Sequence, residues 1–306
     1  MRLPVRAIRL HTIAILLVAG VPGLLGQVDV SDWPTVRMTV QALDGNGDPI
    51  RQLGLDAVVV KEGGQAQSVT ELKLSAEPQS VCLLIDTSGS MYDRLDSVKA
   101  TAARLLKDLP AEDEVCVADF SSMAYVDSEL TLNRAVSNKS LQFIKASGGT
   151  AMYDAVIAME KYMVKRSQNR SRAIVLLSDG DDNASKAGLD QMRRALESAG
   201  SPVVHLFRIP AGRGSGPEQH SSQEKAAIRI ATMGGGLAYY PRNIGDMEAS
   251  VDNLVDAMKS RYELTYTSTS DSRDGRERRL EIGLDKLHQK QKAIVRAPEG
   301  YLAPSS

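Results

Sequence analysis

Aromatic residues are scarce in this chain. Three Phe, one Trp and nine Tyr amount to 4% of 306 residues, too few for the platforms on which bases or sugars stack. An excess of one charge is lacking too: 37 Lys and Arg against 38 Asp and Glu leave a formal net charge of −1. Neither nucleic acid nor an anionic membrane surface is therefore expected as a partner of the whole chain. Histidine is sparse, with only His205, His220 and His288 beyond the first 26 residues. They show no zinc-protease spacing, the chain has no Gly-x-Ser-x-Gly elbow, and no base to activate water stands out. An enzyme is not expected. Cysteine occurs twice, at Cys82 and Cys116, inside apolar strand-like runs. Adjacent core strands seldom give two cysteines bridging geometry, so buried free thiols are favoured over a disulfide.

Long apolar runs are missing after residue 26, where nothing approaches the roughly 20 residues of a spanning helix. Residues 1–26 read as a secretory signal peptide. Arg2, Arg6 and Arg9 form a basic start, Thr12 to Leu25 an apolar run, and Gly26 a small residue before cleavage. The alternative is an uncleaved anchor, for which the run is short. An exported product is expected, secreted or periplasmic, with no stable membrane insertion once the signal is removed.

What the chain does have is concentrated chemistry. Val81 to Ile85 is a short apolar run of the kind a strand buried on both faces shows. At its end stand Asp86, Ser88 and Ser90, on a turn that Gly89 lets bend. All three are hard oxygen donors, suited to Mg²⁺, Mn²⁺ or Ca²⁺ and not to zinc or copper. Two further stretches follow: Ser147-Gly148-Gly149-Thr150 opens a helical pattern, and the apolar run Ala173 to Leu177 ends in Ser178-Asp179-Gly180.

The remaining 42% hydrophobic and 25% charged composition is that of a soluble globular protein, and the length suits one and a half to two domains. From Val81 onward strand and helix patterns alternate. Apolar residues at 95, 98, 102, 105, 106 and 109 make a helical stripe that Pro110 ends, and Glu114 to Phe120, Ala124 to Leu130, Arg172 to Ser178 and Val203 to Ile209 read as strands. Helices are expected over Ala151–Val164, Leu189–Ala199, Gln223–Met233 and Ile244–Lys259. Such alternation predicts an α/β fold, a doubly wound, mainly parallel sheet with helices on both faces. Before and after it the texture is β-rich, with Thr35 to Leu43 and Tyr262 to Thr267 alternating cleanly. Each flank is too short for its own core. The expected plan is a signal at 1–26, an N-terminal β segment at 27–78, the α/β domain at 79–260 and a C-terminal β segment at 261–306. The two segments are expected to join in one small β-sandwich. Asp44 to Asp48 is expected to be a turn, since it lacks the downstream Glu of a calcium loop.

The three stretches together resemble the metal-ion-dependent adhesion site of the von Willebrand factor type A family, whose pattern is Asp-x-Ser-x-Ser, a loop Thr, and an Asp after a buried strand. The resemblance covers roughly residues 79–260. It implies Asp86, Ser88, Ser90, Thr150 and Asp179 as ligands of one divalent cation, Mg²⁺ or else Mn²⁺ or Ca²⁺. It also implies a partner protein that offers an Asp or Glu carboxylate to that cation. The layout, with its final Gly300-Tyr301, is similar to exported bacterial proteins carrying a domain related to this family. The alternatives are a structural envelope or scaffold protein using the fold without metal, or an accessory subunit of an assembly complex. Asp181 and Asp182 either raise the negative potential beside Asp179 or are simply solvated, and Pro210 to Pro217 is expected to be a recognition loop.

Overall fold

In the computed structural model, residues 3–4, 28–45, 48–75, 77–196, 201–210, 231, 236–241, 243–298 and 300–305 are described. The chain opens with β1 (Leu3–Pro4), β2 (Val28–Asp29), β3 (Thr35–Leu43), β4 (Val58–Glu62), β5 (Gln65–Gln67) and β6 (Val69–Leu74). The alternating part runs β7 (Gln79–Asp86), α1 (Leu95–Asp108), β8 (Glu114–Phe120), β9 (Ala124–Thr131), α2 (Arg134–Ser140), α3 (Met152–Arg166) and β10 (Ser171–Ser178). It continues with α4 (Leu189–Leu196), β11 (Val203–Arg208), β12 (Ala238–Tyr239) and α5 (Ile244–Lys259). Strands β13 (Tyr262–Thr267), β14 (Glu277–Leu284), β15 (Ile294–Arg296) and β16 (Gly300–Leu302) close it. Most of the expected signal, the Gln223–Met233 helix and the loop beyond Pro210 lie outside the described residues.

All eight residues of β7 are buried, because the strand lies inside the sheet with a layer of helices on each side. Successive side chains alternate between the two layers. Val81, Leu83 and Ile85 pack with Val98, Leu105 and Leu106 of α1 and Val251 and Leu254 of α5. Cys82 and Leu84 face the other way, against Met152, Val156 and Met159 of α3 and Met192 of α4. The strand order is β9-β8-β7-β10-β11-β12, with β1 on the outer edge of β9. Strands β8, β7, β10, β11 and β12 are parallel, and β9 is antiparallel to β8. The doubly wound α/β sheet is therefore present. Its direction of winding reverses between β7 and β10, where the loops at the carboxyl ends diverge. Cys82 and Cys116 stand in register on neighbouring strands, and both are free and buried.

The β-rich flanks interleave. β13 pairs with both β3 and β6, while β14 pairs with β4 and β16. Val36, Met38, Val40, Val58 and Val60 from the first flank and Tyr262, Leu264, Tyr266, Leu280 and Tyr301 from the second share one apolar core. Glu62 is buried inside it. Its Oε2 accepts from the Tyr266 and Tyr301 hydroxyls at 2.7 and 2.8 Å, and its Oε1 from Ser268 Oγ at 2.7 Å. Asp44 and Asp48 form the expected turn, with the Asp44 N–H donating to the Asp48 carbonyl at 2.8 Å and the Asp48 N–H to Asp44 Oδ1 at 3.0 Å.

Candidate metal centre

Asp86 is the last residue of β7, and its carboxylate turns back to organise the loop that follows. Oδ1 accepts from the Ser88 N–H at 2.9 Å, an Asx turn, and Oδ2 from Ser178 Oγ at 2.6 Å. Ser178 ends β10, so this bond ties together the two strands on either side of the switch point. Burial pushes the Asp86 carboxyl up to about 6. The hydrogen bonds from Ser178 and Ser88 pull it down, and the neighbouring Asp179 adds to the rise.

The hydroxyls stand next to each other. Ser88 Oγ and Ser90 Oγ are 3.1 Å apart, and Ser90 Oγ donates to Asp179 Oδ2 at 2.8 Å. Asp179 Oδ1 is buried and has no hydrogen-bond partner. Leaving a buried carboxylate oxygen unpaired is costly. The next residue, Gly180, has φ 92°, a conformation that a side chain at this position would strain.

Thr150 reaches the same rim through the backbone. The Ser147 N–H donates to the Thr87 carbonyl at 2.7 Å and the Gly89 N–H to the Gly148 carbonyl at 3.0 Å, which joins the two loops edge to edge. Gly148 has φ 81° at this junction. Thr150 itself is clamped by Asn183, whose Oδ1 accepts the Thr150 N–H at 2.8 Å while its own N–H donates to the Thr150 carbonyl at 2.9 Å. The serines and Asp179 are thus in direct contact, Asp86 is linked to them through Ser88 and Ser178, and Thr150 is held on their rim.

Three helpers escaped the sequence reading: Ser178, Asn183 and Arg94. Arg94 Nη2 donates to the Ser90 carbonyl at 3.0 Å and to Asp179 Oδ2 at 3.3 Å, and Nη1 to the Ile209 carbonyl at 3.4 Å. Its signal was its place, four residues after Ser90 in the motif loop. Of the two acids after Asp179, Asp182 is structural. Its Oδ2 accepts from the Tyr153 N–H at the start of α3 and from Ser185 Oγ.

Among the described residues no group of three or more His, Cys, Asp or Glu gathers as a metal cluster. This centre has two carboxylates, and its other donors are hydroxyls. The set fits a hard divalent cation: every candidate ligand atom is oxygen, one buried acidic oxygen lacks a partner, and burial disfavours the charge on Asp86.

Comparison with known proteins agrees with the motif. The profile of the von Willebrand factor type A domain matches residues 81–181. An uncharacterized Synechocystis protein, sll0103, is 32% identical over 108 residues, covering 34% of this chain and 26% of its own length. The calcium-activated chloride channel regulator 1 of Equus caballus is 29% identical over 185 residues, covering 58% of this chain and 18% of its own. The chain thus spans about a quarter or less of these curated relatives. Among solved structures, the conserved hypothetical protein BatB from Bacteroides thetaiotaomicron overlays with a TM-score of 0.45 at 19% identity, covering 60% of this chain and 99% of that one. No helix among the described residues is long and apolar enough to cross a membrane. Residues 81–181, from the third residue of β7 to the loop after β10, thus match the von Willebrand factor type A domain.

Proposed function

We propose that the chain is a metal-ion-dependent protein-binding or adhesion module of an exported protein. One divalent cation, most simply Mg²⁺, is held by Asp86, Ser88, Ser90, Thr150 and Asp179, and a partner protein offers it an Asp or Glu carboxylate. The observation that carries this reading is the unpartnered buried oxygen of Asp179, beside two hydroxyls and a second buried acid. Two carboxylates balance a divalent charge without exceeding it, so the bound ion supplies attraction for one more anionic oxygen. Few carboxylates and several neutral hydroxyls favour an octahedral ion that keeps waters over Ca²⁺, which takes more oxygen ligands.

Binding, not turnover, is the role these groups support. The hydroxyl partners of Ser88 and Ser90 are each other and Asp179, so neither serine is paired with a histidine base. Residues 79–260 act as the binding domain, and the segments 27–78 and 261–306 serve as one accessory β unit. Ser121-Ser122 and Asp181 to Lys186 border the rim and are the natural partner contacts. Titration calorimetry with Mg²⁺, Mn²⁺ and Ca²⁺ tests the reading on wild type and Ser90→Ala. One site per chain is expected, weakened on the order of 10-fold or more by the substitution. Equal affinity in the two proteins removes this centre, and no binding by wild type favours a metal-free scaffold.

A further inference from the structure

Arg94 lies at the candidate metal centre, and neither the metal-site pattern nor the family match gives it a role. Its guanidinium is fixed by acceptors from three segments: the Ser90 carbonyl at 3.0 Å in the motif loop, Asp179 Oδ2 at 3.3 Å after β10, and the Ile209 carbonyl at 3.4 Å after β11. The Arg94 and Asp179 side chains are only 20% and 12% exposed. This is not a solvated surface pair of negligible strength. Two of the three acceptors are backbone, so the charge is held beside Asp179 even when the carboxylate is otherwise engaged.

We propose that Arg94 is a built-in counter-cation that lowers the centre's affinity for a bare divalent ion and gives the loaded centre its preference for an anionic ligand. This inference rests on the metal reading above. The charge count carries it. Asp86 and Asp179 alone bring two negative charges, which a divalent ion cancels. With Arg94 in place the site presents one net negative charge to an incoming cation and one net positive charge after the cation has bound. The first change weakens cation binding, and the second draws in a carboxylate. At a fixed, sub-saturating carboxylate concentration, tighter carboxylate binding to the loaded centre means by linkage that the carboxylate also tightens the cation more in the presence of Arg94 than in its absence.

The test is Mn²⁺ calorimetry on the full chain, with and without acetate as the carboxylate probe, on wild type, Arg94→Gln and Arg94→Met. Two neutral variants are used so that a folding failure of one leaves the other. Thermal unfolding reports on folding. Without acetate, a folded neutral variant is expected to bind Mn²⁺ on the order of 10-fold more tightly than wild type, and acetate is expected to tighten Mn²⁺ in wild type more than in the variant. A merely structural Arg94 gives the opposite sign, a weaker site in a less stable protein. Equal or weaker Mn²⁺ binding in the folded variants overturns the inference while the metal reading stands. Mn²⁺ binding by a neutral variant but not by wild type supports it. No binding by any protein overturns both.

Discussion

His205 shows how far one buried side chain can tie stability to pH. It lies inside β11, and its Nδ1 accepts the Leu237 N–H at 3.2 Å. Burial, reinforced by the charge of Arg261, pushes the imidazole down to about 4. The unfolded imidazole takes up its proton near 6.5. Between those values the unfolded chain binds more protons than the folded one, so this contribution to stability is full above about pH 6.5 and lost as pH falls towards 4. The whole effect is about 3 kcal/mol. His205→Asn can keep an acceptor for Leu237 and has no proton to gain. Urea unfolding at pH 7.5 and pH 4.5 should show wild type losing about 2 to 3 kcal/mol more than the variant. Equal losses would place the pH dependence elsewhere. At this scale the sequence was most informative where chemistry is dense: Asp86, Ser88 and Ser90 fall within five residues. Ser178, Asn183 and Arg94 were silent because their roles depend on which loops meet, and neither composition nor periodicity records that.

Among the elements, those with an apolar stripe were the legible ones. α1 and α5 and the strands β8 and β13 lie where their patterns placed them, because each presents a regular face to a core. Helix α2 was missed: Arg134–Ser140 is mostly polar, and its clearest signal is the cap Asn133, whose Oδ1 accepts the Ala135 and Val136 N–H groups. The last strand, β16, offered only three residues. Its anchor is a long-range polar contact, Tyr301 to the buried Glu62 of β4, which no local pattern announces. Tyr301→Phe deletes that hydroxyl and keeps the ring that packs 6.1 Å from Trp33. The variant is expected to lose about 1 to 3 kcal/mol in urea unfolding, the cost of leaving a buried carboxylate short of a donor. A loss within experimental error would make the third hydrogen bond to Glu62 dispensable.

In the whole molecule, the β sandwich supports the α/β sheet at the end away from the candidate centre. Arg261 makes the join. Burial pushes its guanidinium down to about 10, and it donates to the Met258 and Glu77 carbonyls and to Ser171 Oγ at the start of β10. Arg51 and Asp256 pair at 2.5 Å, and Gln41 donates to the Ala257 carbonyl at the end of α5. These contacts gather beside the amino ends of β7 and β10 and at the end of α5, away from the carboxyl-end rim with Ser88, Ser90, Thr150 and Asp179. The two-part plan was readable because β texture on both flanks gives way to strand–helix alternation. The pairing of β3 with β13, more than 200 residues apart in sequence, is a tertiary fact that the flanks imply only jointly. A crystal of the full chain soaked in Mn²⁺ bears most directly on the proposed function. An anomalous difference map should contain one peak bounded by Asp86, Ser88, Ser90, Thr150 and Asp179. A map with no peak there, or with Mn²⁺ bound only elsewhere, contradicts it.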